Sequence, residues 1–239
     1  MIILDPISHT YLDEDNNTYK SVTTLIKEFV PPFDFEKKSA QYAAKYGLDV
    51  EEVRESWRLK NKQSTDFGTK IHEEIETLIS EGVYKGEEEH KEIIESVANT
   101  VLNSFKPGDF LLEHTVYNKN AKIAGTADII VDKPTSFSVL DFKTNKEFKT
   151  QNQYEKFLTG PVSHLSNGEF FKYSLQLSFY AYFYNLMTGK MVDRLCVFWL
   201  DRGKNNKDYS SVKGSKWVRY NLPYLKEEVM SCLDYDAKS

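Results

Sequence analysis

The run from Gly125 to Lys146, "GTADIIVDKPTSFSVLDFKTNK", places two carboxylates and an amine inside two strand-like stretches. Asp128 lies in the first stretch, and Asp141 and Lys143 close the second. Residues i and i+2 of a strand share a face, so Asp141 and Lys143 project together while Leu140 and Phe142 turn toward a core. If the stretches pair as antiparallel neighbours, Asp128 and Asp141 converge. Two converging carboxylates repel unless a cation neutralises them, and oxygen ligands favour Mg2+ or Mn2+. An adjacent ammonium can then orient a water or stabilise negative charge developing on a phosphate. The plain alternative is a pair of solvent-facing acids at strand ends with a surface lysine, because D-x-K tripeptides are common.

Other groups have spacing suited to the same chemistry. His72 and Glu76 stand at i,i+4 on one helical face, as do Gln176 and Tyr180. A neutral imidazole can ligate a metal. The Gln176 amide can donate to a phosphate or a carboxylate, and the Tyr180 hydroxyl can do the same. Glu113, in "LLEHTVYN", occupies the strand before Asp128 and is a further candidate ligand; His114 has the opposite parity and cannot face the same site. Glu73 and Glu74 read as solvent-facing.

The elements that must position these groups follow from period and punctuation. "SHTYLDEDNNTYKSVT" reads as a hairpin turning at Asn16-Asn17, and Ser21 caps a short helix through Phe29 that Pro31-Pro32 ends. From Phe35 to about Phe105 the pattern is helical, with breaks expected near Gly47, near Asn61 to Ser64 and at Gly82 to Gly86. Strands are expected over Phe110 to Tyr117, Ile123 to Val131 and Phe137 to Thr144, then a helix from about Glu169 to Met187. Strands near Val192 to Leu200 and Lys216 to Asn221 and a helix after Pro223 complete the chain. The order implies one α/β domain with a mixed sheet over 1–239, in which 1–105 forms a hairpin and helical part and 106–239 a sheet core.

The 239 residues are enough for a substantial core, and 40% are hydrophobic. No run approaches the roughly 18 to 20 apolar residues of a membrane span, and the N-terminus does not read as a secretory signal. Two cysteines, Cys196 and Cys232, make neither a ligand cluster nor a disulfide framework, so a cytoplasmic protein is the plain reading. The net charge of −5 argues against coating nucleic acid with the whole surface. It leaves room for a local basic groove.

With its neighbours, the D-x-K strand resembles a known family. "GTAD" followed by "VLDFKT" looks like the PD-(D/E)XK nuclease motif, with Asp128 and Asp141 as its acids and Lys143 as its lysine. "FGTKIHEEIE" resembles the helix of the RecB-like exonuclease branch that places His72 at the metal site, and "YSLQLSFYAYF" matches that branch's helix through Gln176 and Tyr180. "HTYLDEDNNTYKSVTTLI" and "GPVSHLSNGEFFKYSLQLSFYAY" look most like phage-encoded exonucleases. Ala127 stands where the family's name places a proline, which is ordinary in that branch.

The resemblance implies a restriction-endonuclease-like core: a mixed central β-sheet flanked by helices, with a helical N-terminal elaboration. It implies Mg2+ or Mn2+ held by His72, Asp128, Asp141 and the backbone carbonyl of Phe142. Lys143, Gln176 and Tyr180 would then serve the reaction. No iron–sulfur cluster is expected, since two cysteines cannot supply the four ligands some relatives use. DNA ends are the implied partner, with a phage single-strand annealing or binding protein a further one and the bacterial host cytoplasm the location. Oligomeric state stays open. So do two alternatives: a structure-specific or restriction-type endonuclease, and a non-catalytic DNA-binding subunit on the same scaffold.

An acidic protein must attract phosphates through patches. "VEEVRESWRLKNK" offers Arg54, Arg58 and Lys62 as one helical stripe, with Trp57 near enough to stack on a base or join a core. The loop "DRGKNNKDYSSVKGSK" supplies Arg202, Lys204 and Lys207, and Lys146 follows the Asp141 strand. Each run reads equally as solvated surface.

Overall fold

In the computed structural model, which describes residues 2–5, 10–150, 156–203 and 211–238, the strand-like runs join one mixed sheet of eight strands. In chain order the elements are β1 (Ile2–Asp5), β2 (Thr10–Asp13), β3 (Thr18–Ser21), α1 (Val22–Glu28), α2 (Phe35–Tyr46), α3 (Val50–Glu81) and α4 (Lys91–Ser104). Then come β4 (Asp109–Asn118), β5 (Ile123–Asp132), β6 (Ser136–Lys143), α5 (Glu169–Thr188), β7 (Met191–Asp201), β8 (Lys216–Leu222) and α6 (Lys226–Asp236). Helices flank the sheet, consistent with the restriction-endonuclease-like core expected from the sequence.

Local chemistry sets most boundaries. The Ser21 side chain accepts from Thr24 N to start α1, Asp34 from Lys37 N to start α2, and Asp49 from Glu51 and Glu52 N to start α3. Gly47 and Gly82 end α2 and α3 in the left-handed conformation that a Cβ disfavours. The break expected near Asn61 to Ser64 does not exist, because that polar run holds no glycine or proline. Thr65 instead returns its hydroxyl to Asn61 O within an uninterrupted helix. β1 was not expected: four residues are too few to show a period, and it forms by pairing with β2.

Two apolar layers sandwich the sheet. On one side α3 and α4 bring Phe67, Ile71, Ile75, Ile94 and Val97 against Ile129, Leu140, Phe142 and Phe198. On the other, α1, α5 and α6 pack on Ala127, Ile130, Val139 and Val197. The segment before α5 contributes buried Leu158, Val162 and Leu165 to this second layer.

The pairing around β5 opens the sheet. β4 runs antiparallel along its whole length on one edge. On the opposite edge, β3 pairs in parallel only with Ile123 and Ala124, and β6 pairs antiparallel only with Ile129 to Asp132. Gly125 to Asp128 therefore have no strand partner on that edge. The inward-facing pattern also slips here. Ala127 and Ile129 share parity yet lie in opposite layers, and on β4 Leu111 and Val116, of opposite parity, pack into the same layer on either side of Glu113, where φ is +43°. A gap in hydrogen bonding and a reversal of alternation coincide at one place.

Candidate active site

Asp128 lies at that gap. Its Oδ2 accepts the backbone N–H of Phe142 at 2.8 Å, replacing a ladder bond, and stands 3.3 Å from His72 Nδ1. A residue's N–H and C=O leave the same edge of an extended strand, so the Phe142 carbonyl faces the Asp128 side as well. Continuing the β5–β6 register one step beyond Ile129 and Leu140 sets Asp141 across from Asp128. Asp141 is 2% exposed, and its Oδ2 lies 2.5 Å from Lys143 Nζ.

His72 comes from α3, which Gly68 allows close to the end of β6: a Cβ on Gly68 would meet Thr144 Oγ1 at 3.0 Å. Ligand atoms of His72, Glu113 and Asp128 lie within 4.8 Å of one another. Glu113 stays exposed at the rim, and Glu76 lines the same hollow. Asp141 does not share that group; it sits beside it, committed to Lys143. Lys143 Nζ stands 5.0 Å from the centre of the Tyr173 ring on α5. The site therefore passes through the sheet, with His72 on the α3 side and the Asp141–Lys143 pair on the α5 side.

Electrostatics reflect crowded acids. Partial desolvation, then the carboxylates of Asp128, Glu76 and Asp141, push Glu113 up to about 7. Burial pushes Asp141 up to about 6, with Lys143 opposing it and Asp128 reinforcing it. Burial works against the Lys143 ammonium, but Asp141 and Asp128 outweigh it and raise its pKa. One histidine nitrogen, two carboxylates within reach and a surplus of negative charge fit a divalent cation.

This crowding has a measurable consequence. A carboxyl whose folded-state pKa is raised stabilises the protein below its ordinary pKa, near 4, and loses that contribution as pH rises through 6 to 7. A bound cation removes the penalty only where the acids are ionised. The melting-temperature increase produced by Mn2+ is therefore expected to be larger at pH 8 than at pH 5.5. Equal increases in a fluorimetric melt at both pH values would contradict this electrostatic account.

Gln176 and Tyr180 face the site from α5, joined by a 2.9 Å bond from Gln176 Nε2 to the Tyr180 hydroxyl. Tyr180 is buried, and its ring covers Gly125, where a Cβ would lie 2.4 Å from Tyr180 Cε1. Gly125→Ala is thus expected to destabilise the fold by about 1–3 kcal/mol through overpacking, read from urea denaturation. An unchanged midpoint would show that the ring does not depend on this glycine.

Several positions were missed by the sequence reading. Tyr173 precedes Tyr180 by two helical turns on the same face, a spacing that could have pointed to it. Tyr11 reaches from the N-terminal hairpin to Thr126 Oγ1 at 2.9 Å, a long-range contact with no local signal. Glu74, expected in solvent, is instead buried, accepting hydrogen bonds from Tyr84 and Glu87 N and contacting His90. His114 lies on the opposite side from Glu113, edge-on to Tyr184.

The basic residues are less uniform than their spacing. Arg54 is ion-paired with Glu36 and Glu51, and Lys62 with Asp66 at 2.8 Å. The Arg58 guanidinium stands 5.5 Å from the Phe35 ring, beside an aromatic cluster in which Trp57 meets Phe33, Phe35 and Tyr42. Arg202 is 8% exposed and lies 4.8 Å over Phe67, a packed position rather than a surface one. Lys146 is exposed next to the site strand, and Lys204 and Lys207 lie outside the described residues.

No family model and no curated protein matches the chain. Among solved structures it is similar to a candidate exonuclease from Eubacterium rectale, with a TM-score of 0.39 and 10% identity, covering 92% of this chain and 78% of that one. A likeness of that size carries neither site nor activity from one chain to the other. Among the described residues, no helix is long and apolar enough to cross a membrane.

Proposed function

We propose that the protein is a metal-dependent nuclease that hydrolyses phosphodiester bonds in DNA, working from ends. The observation that carries this reading is the pair of buried Asp141 and half-buried Lys143 set against the His72, Glu113 and Asp128 group at the gap in the sheet. A buried carboxylate, a half-buried ammonium and a crowded acid–imidazole set are difficult to explain by stability alone, since apolar residues fill such space at lower cost.

His72, Asp128 and Asp141, with Glu113 at the rim and the Phe142 carbonyl, would hold Mg2+ or Mn2+. When bound, such an ion supplies Lewis-acid polarisation of the phosphate and lowers the pKa of a coordinated water. Asp128 is held in place by the Phe142 amide, and Asp141 aims Lys143. The ammonium, kept charged by its two carboxylate neighbours, orients the attacking water and offsets charge building on the phosphoryl oxygens. Gln176, whose amide is steadied by Tyr180, has a second N–H with which to meet the substrate. Exposed Lys146, three residues beyond Lys143, would meet backbone phosphates of the bound strand. In this reading DNA is the partner, and the activity serves phage DNA replication, recombination or repair.

Incubation with Mn2+ and end-labelled linear single strands, linear duplexes and covalently closed circles tests it. Mononucleotide or short-oligonucleotide release from linear DNA with intact circles is expected. Linearised circles would establish the endonuclease alternative, and binding without hydrolysis on every substrate would establish the non-catalytic one.

A further inference from the structure

The connection between α3 and α4 gathers a second set of ionisable groups that the proposed hydrolytic site does not use. Glu74 on α3 is 7% exposed, and Gly86 wraps over it so closely that a Cβ there would lie 2.4 Å from Glu74 Cδ. Its carboxylate accepts from the Tyr84 hydroxyl at 3.1 Å and from Glu87 N at 3.2 Å, and His90 Nδ1 lies 3.0 Å from Oε2. A neutral imidazole donating through Nδ1 leaves a lone pair on Nε2. His90 is 1% exposed, and its Nε2 is buried with no hydrogen-bond partner. That nitrogen faces Glu87 Oε2 and Glu89 Oε1, each 3.7 Å away.

We propose that His90 Nε2, Glu87 and Glu89 bind a divalent first-row transition ion, Zn2+ above all. The carboxylate of Glu74 on the far ring nitrogen is the arrangement that fixes the tautomer of a ligating histidine and raises its basicity. One nitrogen and two carboxylates suit Zn2+, whereas Mg2+ favours an all-oxygen shell. Donor atoms that share a tetrahedral ion at about 2.1 Å stand about 3.4 Å apart; the two nitrogen-to-oxygen distances are 3.7 Å and all three donor atoms lie within 4.8 Å of one another, so the set must close somewhat around an ion. The side chains of Glu87 and Glu89 are 48% and 65% exposed and can swing to close it. Lys70 pairs with the other oxygen of Glu87 and does not occupy the Nε2 side. Through His90 and Glu74, the ion would tie the connecting segment to α3.

Zn2+ binding to protein carrying His72→Ala and Asp128→Asn isolates this site from the hydrolytic one. By calorimetry, one equivalent is expected to bind, and long-range proton–nitrogen spectra should show the His90 Nε2 resonance move while Nδ1 stays protonated. Adding Glu87→Gln and Glu89→Gln, both surface changes with little effect on stability, should weaken binding at least about 10-fold. The proposal is overturned if the parent binds no Zn2+, if the added changes leave affinity intact, or if His90 keeps both ring protons in excess Zn2+. The last result would mean an imidazolium held by three carboxylates.

Discussion

Replacing Asp128 with asparagine is expected to lower phosphodiester hydrolysis by at least about 10³-fold without unfolding the protein. Removing a single preorganised catalytic donor costs about 10²–10³-fold, and Asp128 serves more than one role. It stands within reach of both His72 and Glu113, and it bridges to β6 through the Phe142 amide. Asparagine keeps the amide contact through its carbonyl oxygen but removes the charge that a divalent ion needs. Single-turnover cleavage of an end-labelled oligonucleotide in Mn2+, beside a urea melt, separates the two effects. A variant within tenfold of wild type would remove Asp128 from the reaction.

Lys143→Met is expected both to suppress turnover and to destabilise the fold by about 3–5 kcal/mol, because it leaves the Asp141 carboxyl buried with no counter-charge. Adding Asp141→Asn should return most of the stability and none of the activity. The reverse single change, Asp141→Asn, strands the Lys143 ammonium in the same way. From the sequence alone, removal of this site carboxylate would be expected to spare the fold; its burial shows that it takes part in a paired interior charge. Equilibrium denaturation of the two single variants and the double one measures this coupling, and additive losses would show that the two groups act independently.

The architecture was legible because most of its boundaries are written in local chemistry. Ser21, Asp34 and Asp49 cap helices, Gly47 and Gly82 end them, and β4 to β8 announce themselves by period. The break that polarity at Asn61 to Ser64 suggests does not form in α3, because none of these residues forbids a helix. The site's residue types were legible for a different reason. Asp141 and Lys143 must share a face, and His72, Gln176 and Tyr180 stand at spacings that align them on helices.

What spacing could not supply was non-local. The unpaired edge of Gly125 to Asp128 exists because β3 and β6 take opposite ends of the same β5 edge. The slip at Glu113 is a backbone choice that no side chain advertises. Glu74 and Arg202 illustrate the same limit: their burial depends on Tyr84, His90 and Phe67, which reach them only in the folded chain. Arg54, one of three residues in an expected phosphate-binding stripe, spends its charge on Glu36 and Glu51 from two different helices.

The most direct measurement is the divalent-ion dependence of hydrolysis on one end-labelled linear duplex, from EDTA through increasing Mn2+, for wild-type protein and Asp128→Asn. Cleavage that is absent in EDTA, rises to saturation with Mn2+ and disappears in the variant is the expected outcome. Cleavage that persists in EDTA at the metal-replete rate, or no cleavage by wild-type protein whose Asp128 site demonstrably binds Mn2+, would contradict the account.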